Sequence, residues 1–108
     1  MSGRPKCQLI GRWRIVESDL WDRDHLDLVE PAQMMIRGDG HGEIAIGALQ
    51  AGLDIEYSAT VIFFTWAGFD DMHEVNGSGS AELQDDGTIE TEFAYHLGDE
   101  ATLKAVRA

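Results

Sequence analysis

Over most of its length this chain places apolar side chains at every second position, and turn residues interrupt the runs at the spacing of a small all-β domain. Period two is the repeat of a strand with one face buried and the other wet. Leu53, Ile55 and Tyr57 alternate with Asp54, Glu56 and Ser58; Ile89, Thr91, Phe93 and Tyr95 alternate with Glu90, Glu92 and Ala94. Such a chain folds as a barrel or a sandwich. At 108 residues it makes one domain, 1–108, with residues 1–8 as an N-terminal extension.

Eight strands follow from the pattern. The first spans residues 9–17, with Trp13 and Ile15 on one face and Arg12 and Arg14 on the other. The second spans 33–37 and ends at a Gly38-Asp39-Gly40 turn; the third spans 42–49 and ends at a Gln50-Ala51-Gly52 turn. Strand four holds the alternation from Leu53 to Ser58. Strand five, 61–67, is apolar on both faces, and 68–76 reads as the longest loop after residue 40. Strand six, 77–84, puts Gly77, Gly79, Ala81 and Leu83 on one face. Asp85-Asp86-Gly87 turns into strand seven, 88–96, and residues 97–100 turn into strand eight, where Leu103, Ala105 and Arg107 share a face. The expected architecture is all-β: an eight-stranded antiparallel up-and-down barrel, which removes both sheet edges, with a two-sheet sandwich as the alternative. Residues 18–32 break the pattern. Trp21, His25, Leu28 and Val29 fall at helical spacing and Pro31 stops any helix, so a short helical turn is expected in a long first loop.

The formal net charge of −12 is unevenly spread: residues 1–37 hold six basic and six acidic side chains, and residues 38–108 hold Lys104 and Arg107 against fourteen carboxylates. That surface repels phosphate backbones and anionic headgroups, so neither a nucleic-acid nor a membrane partner is expected. No apolar run reaches the ~18 residues of a membrane helix. Met1 to Ile10 carries Arg4 and Lys6 but no apolar stretch of a secretory signal, and Cys7 has no second cysteine to pair with. A cytoplasmic protein with a reduced thiol is the expectation.

Strand one opens as Cys7-Gln8-Leu9-Ile10-Gly11-Arg12-Trp13, and Arg107 stands on the last strand. In Gly11, Trp13 and Arg107, and in its order of strands, the chain resembles the calycin group of lipocalin-like and avidin-like barrels. The resemblance implies structural roles for these three residues, with Trp13 closing one barrel end and Arg107 packed over it. The segment Leu20-Trp21-Asp22-Arg23-Asp24-His25-Leu26-Asp27-Leu28-Val29-Glu30-Pro31-Ala32 resembles a group of small uncharacterised bacterial proteins with a Gly-x-Trp first strand, which implies a fold and not an activity. Avidin-like barrels carry small polar ligand-binding residues just after the tryptophan; here Arg14-Ile15-Val16 stand there, so no biotin-binding residue is carried over.

An eight-stranded barrel is just wide enough to be filled by side chains or to hold one small molecule. Bulky inward residues favour filling. The thin wall of strand six favours a pocket, bounded by Gly79, Ala81, Trp66 and Phe93, with Tyr57, Thr91 and Tyr95 offering hydroxyls. On the outside, Met35, Val61 and Phe63 are apolar residues facing water, the composition of an interface. Two acidic, histidine-containing stretches, Asp22-Arg23-Asp24-His25-Leu26-Asp27 and Asp70-Asp71-Met72-His73-Glu74, lack a recognised ligand spacing, so no metal and no cofactor is expected. Asp22, Asp24 and Asp27 read instead as helix-capping and turn residues. No Ser-His-Asp or Cys-His arrangement is legible, which argues against an enzyme. The expected function is a non-catalytic binder of a small, largely apolar molecule. The alternative is a filled-core interaction module acting through homodimerisation or a protein partner.

Overall fold

A computed structural model of the chain describes residues 7–108. The eight strands are β1 (Gly11–Ser18), β2 (Gln33–Ile36), β3 (His41–Ile46), β4 (Leu49–Tyr57), β5 (Val61–Asp70), β6 (His73–Leu83), β7 (Ile89–Tyr95) and β8 (Glu100–Arg107). They form one closed antiparallel barrel in sequence order. The last strand pairs back onto the first, with Trp13 opposite Arg107 and Ile15 opposite Ala105. A single helical turn, α1 (Arg23–Leu26), lies between β1 and β2. Residues 1–6 of the expected N-terminal extension lie outside the described residues; Cys7 is buried, and the Gln8 amide donates to the Ala59 carbonyl at 2.9 Å.

Alternation does the folding work. Inward Trp13, Ile15, Met34, Ile36, Ile62, Ile89, Phe93 and Leu103 are all at most 1% exposed. Burial of each such side chain stabilises by about 1.5–3 kcal/mol.

Two connections differ from the sequence expectation. β4 begins at Leu49, so Gln50-Ala51-Gly52 is strand and the turn lies at Gly47-Ala48. Gly47 takes the left-handed φ of +56° that the turn needs, while Gly52 faces outward, where a missing side chain leaves no void. The expected loop at 68–76 is a continuation of β5 and β6 around a two-residue turn, Asp71-Met72, both with positive φ (49° and 72°). Neither is glycine, which hides the turn from a reading that looks for Gly or Asn. Gly68 lies within β5, and a Cβ there would come within 2.0 Å of the Gln50 carbonyl oxygen. In the first loop Leu26 and Ala32 are buried, whereas Leu28 and Val29 are each 64% exposed. The expected short helical turn is present, and one turn is too short to develop an apolar stripe.

Both barrel ends are covered. At the β1 start, Leu9 is fully buried and its carbonyl accepts the Trp13 Nε1–H at 2.8 Å. The Arg107 guanidinium lies 4.1 Å from the Trp13 ring centre and donates to the Ile10 and Gln8 carbonyls at 2.9 and 2.8 Å. Gly11, at φ +141°, leaves room for it: a Cβ would sit 2.6 Å from Arg107 Nη1. At the opposite end, the Asp22 carboxylate accepts the His25 amide at 2.9 Å, and the Leu26 carbonyl accepts the Gly47 amide at 2.9 Å. Asp27 accepts the Ala32 amide at 2.9 Å and pairs with Arg14 at 3.1 Å, fixing the loop across the mouth.

Candidate functional site

The residues expected to line an interior pocket separate into two places. Trp66, Phe93 and Tyr95 form one aromatic cluster. Trp66 stacks on Phe93 with ring centres 4.5 Å apart, and Tyr95 meets both rings edge-on at 5.0 and 5.8 Å. Phe64 joins at 6.5 Å from Phe93. The indole N–H donates to the Ala94 carbonyl at 3.2 Å. These rings lie directly against the thin wall of β6. A Cβ at Gly77 would fall 2.8 Å from Trp66 ring atoms, and one at Gly79 would fall 2.6 Å from the Phe64 ring. The space that the glycines leave is therefore taken by aromatic side chains from β5. Ala81, 1% exposed, sits in register between Ile62 and Thr91.

Tyr57 lies elsewhere, near the β1-start end. Its hydroxyl donates to the Arg37 carbonyl and accepts the Gly40 amide at 3.0 Å, so it closes the β2–β3 turn. The Tyr95 hydroxyl donates to Asp70 Oδ2 at 3.2 Å, and burial, followed by the Asp70 carboxylate, pushes its pKa well up from the ordinary value.

Thr91 is the anomaly of the interior. It is fully buried, and its Oγ1 has no hydrogen-bond partner among the described residues. A buried hydroxyl left unpaired costs about 1–3 kcal/mol. Thr91→Val keeps the shape and removes the cost, so it should raise stability by about 1 kcal/mol in urea denaturation. A loss of stability instead would show that the hydroxyl is satisfied.

The exterior has its own pattern. On β5 the outward row is Val61, Phe63, Thr65, Ala67 and Phe69, with Phe63 59% and Phe69 56% exposed. Phe69 escapes a sequence reading that ends strand five at Ala67; carrying the alternation two residues further finds it. Met35 is half-buried on β2 and lines an outer groove of about 640 Å³ with Ala45, Gly52 and Ala67. The groove rim carries Arg12, Arg37, Glu30 and Glu43. Arg37 pairs with Glu43, which raises the guanidinium pKa further.

A second concavity, about 340 Å³, opens where α1 meets the barrel mouth; Trp21, His25, Asp70, Tyr95, His96 and Asp99 line it. Neither acidic stretch brings its carboxylates and histidine into one cluster: among the described residues no three His, Cys, Asp or Glu side chains converge as metal ligands. Asp22 and Asp27 hold the first loop, and Asp70 takes the Tyr95 hydroxyl. No helix of the described residues is long and apolar enough to cross a membrane. Against known protein families and curated proteins, the chain matches neither a family model nor an individual sequence.

Proposed function

We propose that this protein is a non-catalytic interaction module that works through the outside of its barrel, pairing with a second copy of itself. The observation that carries this is the contrast between the two sides of β5. Inward Phe64 and Trp66 fill the space left by Gly77 and Gly79, while outward Phe63 and Phe69 stand more than half exposed. Large exposed apolar side chains in one row are the mark of a contact surface.

Charge limits where two copies can meet. Most of the surface is acidic, and two such surfaces repel. The groove beside the β5 row is the exception, with two guanidinium groups matched by two carboxylates around a floor of Met35, Ala45, Gly52 and Ala67. A twofold contact would bring this balanced face onto itself and bury the phenylalanines of β5, and twofold dimers are the commonest symmetric assembly.

Analytical ultracentrifugation tests the reading. A dimer is expected, and salt should tighten it by screening the remaining acidic repulsion. Phe63→Glu should weaken it at least about tenfold while the melting temperature at low concentration stays put. A strict monomer at millimolar concentration would overturn the dimer. A small apolar molecule retained in native mass spectra of protein from its own host would point back to an interior binder.

A further inference from the structure

The pocket at the α1 end brings aromatic rings and carboxylates together. Trp21 stacks on His25 with ring centres 5.6 Å apart and meets Tyr95 edge-on at 6.3 Å. Asp70 and Asp99 supply two carboxylates, and among the described residues no Lys or Arg lines the pocket.

The walls are held in place. Ser18 Oγ accepts the Trp21 amide at 3.2 Å. His25 is seated over Gly47, where a Cβ would come within 3.0 Å of its imidazole. The 96–99 turn is fixed by the Tyr95 amide donating to the Asp99 carbonyl at 2.9 Å and by the Gly98 amide donating to the Tyr95 carbonyl at 3.1 Å. Leu97 takes the left-handed conformation, φ +57°, that lets the chain double back.

The geometry points to a binding site for a small organic cation, an alkylammonium group, in the pocket that the touching Trp21 and Tyr95 rings line together with the Asp70 and Asp99 carboxylates. Aromatic faces attract cations through their quadrupoles, and the attraction strengthens when the cation is partly withdrawn from water. The carboxylates add charge complementarity, which an equally apolar neutral molecule cannot use. At about 340 Å³ the pocket lies at the small end of ligand sites and suits one such headgroup. The acidic shell of residues 38–108, with fourteen carboxylates against two basic side chains, concentrates cations around the mouth. This site uses Asp70 at the end of β5 but none of the residues placed in the dimer contact, and it does not depend on the dimer.

The test is an NMR titration read at the indole N–H signals. Trp13 and Trp66 are 0% and 2% exposed, so the responsive signal belongs to Trp21, and its loss in Trp21→Phe assigns it. Three probes are added separately to the intact chain. Choline is the free cation, 3,3-dimethylbutan-1-ol is its neutral isostere, and N-acetyl-lysine methylamide carries the same charge as a protein side chain would. Saturable shifts of Trp21 with choline, at least about tenfold weaker with the neutral isostere, are expected. Asp99→Asn, on an exposed turn, should weaken choline binding severalfold, and Asp70→Asn should do the same. Saturation by the lysine compound alone would assign the cation to a polypeptide side chain. Equal response to the neutral alcohol, or no saturable response to either cation, would overturn the site.

Discussion

Trp13→Ala should cost about 3–5 kcal/mol of folding free energy, the largest loss expected from any single truncation in this chain. The indole is fully buried, and three independent features converge on it. Its N–H is bonded to the Leu9 carbonyl, its face is covered by the Arg107 guanidinium, and its backbone lies in the ladder that joins β1 to β8. Removing the ring leaves a cavity, orphans a buried carbonyl and strips the support from Arg107. Arg107 in turn ties the Gln8 and Ile10 carbonyls over the barrel end, so residues 8–10 should loosen in the same variant. Urea denaturation gives the number, and amide exchange of residues 8–10 gives the local effect. A loss under about 1 kcal/mol would mean that the ring does not close this end.

Adding one methyl group to the β6 wall should be nearly as damaging. Gly79→Ala places a Cβ 2.3 Å from the Glu92 carbonyl oxygen and 2.6 Å from the Phe64 ring; Gly77→Ala places one 1.9 Å from the Ala94 carbonyl oxygen and 2.8 Å from the Trp66 ring. Alanine in a strand ordinarily gains about 0.5–1 kcal/mol over glycine by restricting the unfolded chain. Here the clash reverses the sign, and each substitution should cost up to about 3 kcal/mol. Phe64→Leu should recover part of the loss from Gly79→Ala, because it withdraws the ring but leaves the backbone contact. If either alanine stabilises the protein, the rings do not press on that wall and the interior holds free space.

That reversal marks where the sequence stopped being legible. The strand count could be read from the alternation, because a strand with one wet face writes its burial directly into every second residue, and the short connections favoured the up-and-down closed order over a sandwich without deciding it. The boundaries could not be read as well. Asp71 and Met72 form a turn in the left-handed region, which methionine disfavours, and Gly52 and Gly68 sit in strands although glycine usually marks a turn. Gly77 and Gly79 show the deeper difficulty. A run of small residues reads equally as a cavity or as a seat for a partner ring. Which it is depends on the β5–β6 register, and only the pairing of Phe64 with Gly79 and Trp66 with Gly77 decides it. The α1-end pocket was invisible for the same reason. Trp21 and Asp99 are 78 positions apart in sequence (99 − 21) and meet only once the barrel has closed.

The β1–β8 ladder also determines how this molecule can be recognised. Many partners join a sheet by adding a strand, using backbone amides and carbonyls that any sequence possesses. A barrel closed from β1 round to β8 uses most of those groups in its own ladders, residues 73–75 at the start of β6 being paired to β5 alone. The recognition proposed for the outer row of β5 and for the mouth at α1 would be written in side chains, where a single substitution can rewrite it without disturbing the scaffold.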